Sequence, residues 1–135
     1  MEVNLHIYSG IGNLIAIVDG IRTDLHISSK EVDHVYNFHG VNFDQLIILL
    51  PPSDPQNDLD VKIFNNDGSV ASNCINGARC VGRFIKDNSL LASNKFKVKT
   101  DGGLWELDNV ENNVFSAAFE VKAEIMTKKV GLQEE

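Results

Sequence analysis

The run Cys74-Ile75-Asn76-Gly77-Ala78-Arg79-Cys80 holds the residues of this chain best suited to chemistry. Just before it, Phe64-Asn65-Asn66-Asp67-Gly68-Ser69 is polar and glycine-bearing, and reads as a turn. Beyond Asn76-Gly77, the apolar residues Ala78, Val81, Phe84 and Ile85 recur at helical spacing, which predicts a helix with one apolar face. Cys74 stands at the start of that helix, where backbone N–H groups point outward and the helix dipole is positive. A thiol so placed loses its proton easily, at a pKa of roughly 3.5–7.5 instead of about 8.5. Such a group acts as a general acid or base near neutral pH. The competing reading is a small buried hydrophobe, because cysteine is among the most buried residue types. Local physics leaves both readings open.

The remaining polar candidates divide by spacing. Cys80 follows Cys74 by six residues, so on a helix the two thiols point in different directions, about one and a half turns apart. They form no CxxC clamp for a metal, and Cys80 is expected in the core. His6, His26, His34 and His39 show no ligand spacing, so no metal site is expected. Any of them paired with Cys74 would make a cysteine hydrolase, but no nucleophile signature accompanies the pair. Asn66, Asp67 and Gly68 are read as turn formers. Arg79, one turn into the helix, either holds a carboxylate or ties the helix to a sheet, and the tie is expected.

The elements that must position these residues follow from periodicity. Val3, Leu5 and Ile7 alternate with polar residues, and Leu14 to Val18 is a second apolar run before Asp19-Gly20. Two strands joined by a glycine-rich loop from Ser9 to Asn13 are predicted. Ser28 or Ser29 caps a short helix with Val32, Val35 and Tyr36 on its inner face. Gly40 to Asp44 reads as a loop, and Leu46 to Leu50 as a strand ended by Pro51-Pro52. Leu59, Val61 and Ile63 alternate in a strand that feeds the Asn65–Ser69 turn. After the cysteine helix, Phe96 to Thr100, Leu104 to Leu107 and Val114 to Val121 are strand-like, with Asp101-Gly102-Gly103 as a hairpin turn. Many strands around one long helix predict an α+β domain.

Bulk properties narrow the function classes. The 135 residues are 43% hydrophobic and 23% charged, the composition of one globular domain. A net charge of −7 argues against non-specific nucleic-acid binding, which needs a basic face. Lys95, Lys97 and Lys99 alternate along one strand and are read as a solvated face. No apolar run approaches the roughly 20 residues of a membrane span, and Met1-Glu2-Val3-Asn4 lacks a secretory signal. Two cysteines on one helix make a poor disulfide framework, so a reduced, cytoplasmic location is expected.

Several blocks together carry a family resemblance. Gly10-Ile11-Gly12-Asn13, Phe43-Asp44-Gln45-Leu46, Ile63 to Ser69 and Cys74-x-Asn76-Gly77-Ala78-Arg79-Cys80 resemble, in order and in spacing, the amino-terminal half of diaminopimelate epimerase. The similarity runs from about Val3 to Phe119. Related proline racemases usually carry histidine in the place of Asn76. The resemblance implies a strongly curved, barrel-like, mostly antiparallel sheet wrapped around a central helix. It also implies an isomerase of lysine and peptidoglycan biosynthesis that converts LL- to meso-diaminopimelate without metal or other cofactor.

In that chemistry a cysteine thiolate removes the α-proton on one face, and a cysteine thiol returns a proton on the other. By resemblance, Cys74 is the amino-terminal member of the pair, and Asn13, Gln45, Asn65, Asn76 and Gly77 bind the substrate. Amides suit a zwitterion, since they offer donors and acceptors without adding charge. Residues 1–121 are expected to form the domain, and 122–135 a linker or frayed tail. The partner cysteine of the family lies in a second domain that this sequence does not contain, so a homodimer or a partner chain is the expected supplier. The alternative is a truncated, inactive relic or a half-domain that serves as a binding or assembly module.

Five positions depart from the family pattern. Ile75 follows the cysteine where the family has glycine, and its stiff, bulky side chain is expected to narrow the carboxylate pocket. Leu14-Ile15 replaces aspartate-phenylalanine, Ser9 replaces histidine, and Asn42 replaces a loop glycine.

Overall fold

The computed structural model describes residues 3–10, 12–23, 25–72, 75–111 and 114–119. Cys74 and the stretch 120–135 lie outside them. Among the described residues, eight strands and two helices follow one another along the chain. They are β1 (His6–Gly10), β2 (Asn13–Asp19), α1 (Ser29–Asn37), β3 (Gln45–Leu50), β4 (Leu59–Asn65), β5 (Val70–Ala71), α2 (Ile75–Asp87), β6 (Lys95–Thr100), β7 (Gly103–Glu111) and β8 (Val114–Phe119). One sheet has the order β1-β2-β3-β4-β6-β7-β8, with β5 paired to β4. The β2–β3 and β4–β6 pairs are parallel and the others antiparallel.

The central strands read as continuous apolar runs because both of their faces are buried. On one face Ile15, Ile17, Ile47, Leu49, Leu59, Val61 and Ile63 pack with Ala78, Val81, Phe84 and Ile85 of α2. Trp105 and Leu107 of β7 complete this core. On the other face Ala16, Val18, Leu46, Ile48 and Phe64 pack with Val32 of α1 and with Phe43. Strands β1 and β2, at one end of the sheet order, and β7 and β8, at the other, all touch α2. The sheet therefore curls around that helix, giving the α+β architecture that the sequence pattern predicts and the curved sheet that the family resemblance implies.

Local signals explain the ends of α1 and the tight turns. Ser28 is the N-cap: its Oγ accepts from Glu31 N, and Glu31 Oε1 accepts from Ser28 N, which is a complete capping box. The hairpin turn predicted over Asp101-Gly102-Gly103 is one residue shorter, because Gly103 pairs with Thr100 and opens β7. Gly102 packs so near the carbonyl oxygen of Ser72 that a Cβ there would overlap it. This contact holds the β6–β7 turn against the segment that leads into α2.

Three further sequence expectations are corrected. Ser9, Gly10 and Asn13 belong to strands instead of a loop, because Gly10 pairs with Asn13 and only two residues separate β1 from β2. Of the strand expected from Val3, Leu5 and Ile7, only Ile7 lies in β1; Val3 and Leu5 precede it and pack on the α1 side, whereas His6 and Tyr8 face α2 and touch Phe84. Ile7 is left 44% exposed. The third is Arg79, which is exposed, and nothing among the described residues ties it to the sheet. Lys95, Lys97 and Lys99 do form an exposed row alternating with buried Phe96, Val98 and Thr100.

Candidate active site

Asn13, Gln45 and Asn65 meet at one rim of the sheet for a reason of parity. Side chains two apart on a strand share a face. Asn13 therefore lies on the face of Ile15 and Ile17, Gln45 on that of Ile47 and Leu49, and Asn65 on that of Val61 and Ile63. All three extend the α2-facing core beyond its last apolar layer, and all three are half-buried.

Two hydrogen-bonded braces hold this rim. Gln45 and Asn65 stand directly opposite in the β3–β4 ladder, and Gln45 Nε2 donates to Asn65 Oδ1 at 3.2 Å. One residue away, Asp44 Oδ2 accepts from Leu14 N at 2.7 Å, and Asp44 N donates to Leu14 O at 2.8 Å. That second brace fixes the register of β2 against β3, in which Gln45 stands opposite Ile15, two residues beyond Asn13. Asp44 belongs to the quoted Phe43-Asp44-Gln45 block, but sequence reasoning placed it in a loop and missed its role.

The turn after β4 is equally well tied. Asn65 N donates to Ser69 O at 2.8 Å, and Gly68 N donates to Asn65 O at 3.0 Å. Asn65 Nδ2 donates to Ser69 Oγ at 3.0 Å. The Asp67 carboxylate accepts from Ser69 Oγ at 2.6 Å and from Ser69 N at 2.9 Å. These bonds from Ser69 hold the Asp67 carboxyl below the usual carboxylate range. Asn66 Nδ2 donates to Phe43 O at 3.2 Å, which confirms its structural role.

The start of α2 reaches the same rim. Ala71 of β5 pairs with Ile63, and α2 begins four residues later at Ile75. Four residues span at most about 14 Å. At its other end, Arg22 beyond β2 donates to Asn88, and Tyr8 to Asp87. Helix α2 thus runs from the amide rim toward the Asp19 end of β2, with the positive end of its dipole at the amides. Half-buried Asn76 and buried Gly77 occupy its first turn. Cys74, predicted to be catalytic, lies outside the described residues, as does the side chain of Ile75.

Other thiol and imidazole candidates fall elsewhere. Cys80 is 6% exposed within the α2 core, as expected. His6 packs on Phe84, nine residues beyond Ile75, which is about 13 Å along the helix. His34 and His39 cluster with Phe38 beyond the middle of α1. Among the described residues, no group of three or more His, Cys, Asp or Glu is arranged to hold a metal ion. No helix there is long and apolar enough to cross a membrane.

Comparison with known proteins bears on this rim. The family model described as diaminopimelate epimerase matches residues 5–122. Diaminopimelate epimerase of Stutzerimonas stutzeri (strain A1501) is 44% identical over 100 residues, covering 73% of this chain and 36% of its own length. The same enzyme of Pseudomonas fluorescens (strain Pf0-1) is 42% identical over the same shares. The chain thus spans about a third of the length of the curated relatives it matches. Solved structures add the fold. A Bacillus anthracis phenazine biosynthesis protein of the PhzF family superposes with TM-score 0.63 at 20% identity, over 84% of this chain and 38% of that one. Methylitaconate-delta-isomerase superposes with TM-score 0.62 at 19% identity, over 84% and 36%. With the amide blocks and the cysteine-bearing helix all inside the matched residues, the chain belongs to the diaminopimelate epimerase family.

Proposed function

We propose that this chain supplies one half of a site that epimerises LL-diaminopimelate to meso-diaminopimelate without a cofactor, in the cytoplasmic synthesis of lysine and peptidoglycan. The observation that carries this reading is the Gln45–Asn65 amide pair on the α2-facing rim, at the end of the sheet where α2 begins. Asn13, Gln45, Asn65, Asn76 and Gly77 bind the zwitterionic substrate. Cys74 works from one face of the α-carbon: its thiolate takes the α-proton, the electron pair stays on carbon, and a thiol on the opposite face returns a proton. In the reverse direction Cys74 is the thiol donor. Donors at the positive end of α2 stabilise the negative charge that grows on the substrate carboxylate. The second thiol comes from a further segment or another chain, including a second copy of this one.

A second reading, a half-domain that binds or assembles without turnover, is favoured by Ile75, whose bulky side chain stands where the resemblance places glycine. Incubating the folded chain with LL-diaminopimelate in deuterated water separates the two. Deuterium at the α-carbon, lost in Cys74→Ser, is the expected result for the enzyme. Binding without deuterium would establish the assembly reading and end that of an autonomous epimerase.

A further inference from the structure

The β6–β7 turn meets the chain just ahead of α2 at a single residue. The three atoms nearest a Cβ built at Gly102 all belong to Ser72: its carbonyl oxygen at 2.5 Å, its carbonyl carbon at 3.1 Å and its Cβ at 3.4 Å. The turn itself has little freedom to retreat. Thr100, buried at its base, donates through Oγ1 to Gly103 O at 2.7 Å and accepts from Gly102 N at 3.1 Å. Beyond the turn, Trp105 is packed in the same core as Ala78 and Val81 of α2. Ser72 is held from behind as well, because its neighbour Ala71 pairs with Ile63. Its carbonyl oxygen lies in the rigid peptide plane through which the chain leaves β5, and Cys74 follows two residues on.

We propose that Gly102 is a positioning residue for Cys74: the β6–β7 turn, pressed against the Ser72 carbonyl, fixes the direction in which the chain enters α2 and so holds the thiol at the positive end of that helix. Only glycine leaves room for this approach. A methyl group at position 102 would push the Ser72 oxygen aside. Because Ala71 and the turn are both tied, the displacement passes forward to Cys74. The influence of a helix dipole fades within one turn, so a small shift of the entry changes how readily the thiol ionises. Gly102 acts through Ser72 and need not touch the substrate. The inference rests on the proposed role of Cys74 as acid and base.

Iodoacetamide labelling of the full chain across pH tests it. In the unsubstituted protein the rate at Cys74 should reach half its maximum at a pH well below the roughly 8.5 of an ordinary thiol. Gly102→Ala should move that midpoint up by about one pH unit, which leaves about tenfold less thiolate at neutral pH. Cys80, slow throughout, reports in the same molecule that the core is still closed. Thr100→Val adds no bulk but removes the hydroxyl that ties the turn. It should move the midpoint the same way by a smaller amount, and it decides the question where Gly102→Ala does not fold. A Cys74 midpoint unmoved in the folded variants would overturn the role of Gly102 and leave the proposed function standing. A midpoint that rises only together with faster labelling of Cys80 would overturn it too, since general loosening would then be the cause. If Cys74 titrates as an ordinary thiol in the unsubstituted chain, the proposed acid and base is lost, and this inference with it.

Discussion

Gly68 sits against the carbonyl of Ser29, so the turn that follows β4 is seated on the first residue of α1. A Cβ built at Gly68 would overlap that oxygen, and the backbone there has φ 87°. The two helices thus serve the amide rim from opposite faces of the sheet. Helix α2 supplies a positive end, and α1 supplies a rest for the turn that carries Asp67 and Ser69.

Gly68→Ala is therefore expected to lose roughly 2 kcal/mol of stability, from strain at positive φ added to the overlap with Ser29. Gly12 offers the control. Its φ is 78° with nothing within 4 Å of a built Cβ, and Gly12→Asn should cost well under half as much, because Asn tolerates that conformation. Urea unfolding of the two variants checks the contrast. Equal losses would refute the seating of the turn on α1.

Tyr8 should titrate late. Burial pushes its hydroxyl up to about 12, and the hydrogen bond to Asp87 and that carboxylate's charge act in the same direction. The folded pKa exceeds the ordinary value of about 10, so this contribution to stability is present below pH 10 and fades as pH rises toward 12. Absorbance titration of Tyr36→Phe isolates Tyr8. Its transition should move down in Asp87→Asn, and an unmoved transition would show that the Tyr8–Asp87 bond does not hold the phenol.

Asp19 gives the opposite limb. Burial pushes its carboxyl up, but bonds from the Arg22 side chain and from the N–H groups of Arg22 and Ile21 outweigh that and leave it below the ordinary range. Its contribution is present above the unfolded value of about 3.9 and is lost as pH falls through the lower folded value. Asp19→Asn should flatten the acid side of a stability–pH profile measured by urea midpoints. An unchanged slope below about pH 4 would remove Asp19 from that account.

The two thiols should differ. Buried Cys80 is expected to alkylate slowly, and Cys74, which directly precedes α2 in the sequence, quickly. Iodoacetamide at neutral pH should therefore label position 74 first in the folded chain, with the preference lost on denaturation. Cys74→Ser should remove the fast phase, whereas Cys80→Ala should mainly lower stability, by about 1 kcal/mol. Faster labelling of Cys80 would contradict the placement of a reactive thiol at Cys74.

Sequence patterns carried the strands and both helices well, and the reasons are visible in particular residues. Leu14 to Val18 and Leu46 to Leu50 are apolar at every position because each strand serves two cores. Alternation in Val3, Leu5 and Ile7 announced a strand but not which core it would join. The answer depended on Phe84, nearly eighty residues away, which takes His6 and Tyr8 instead. Strand β5, two residues long, is too short to leave a periodic signal. The amides of the site were legible as blocks. Their bonding was not, because Gln45–Asn65 and Leu14–Asp44 are cross-strand relationships that exist only once register is set.

The wrapping of the sheet around α2 also bears on how the chain is made. Translation delivers β1 to β4 before α2, but the apolar face of α2 also needs Trp105 and Leu107, which come some twenty residues after Ile85. Parallel pairing of β4 with β6 must likewise wait for the helix between them. Such non-local contacts slow folding relative to a helical bundle of similar size. On the ribosome, Val81, Phe84 and Ile85 would stay partly uncovered until β7 emerges, which makes this helix the segment of the nascent chain most in need of a chaperone.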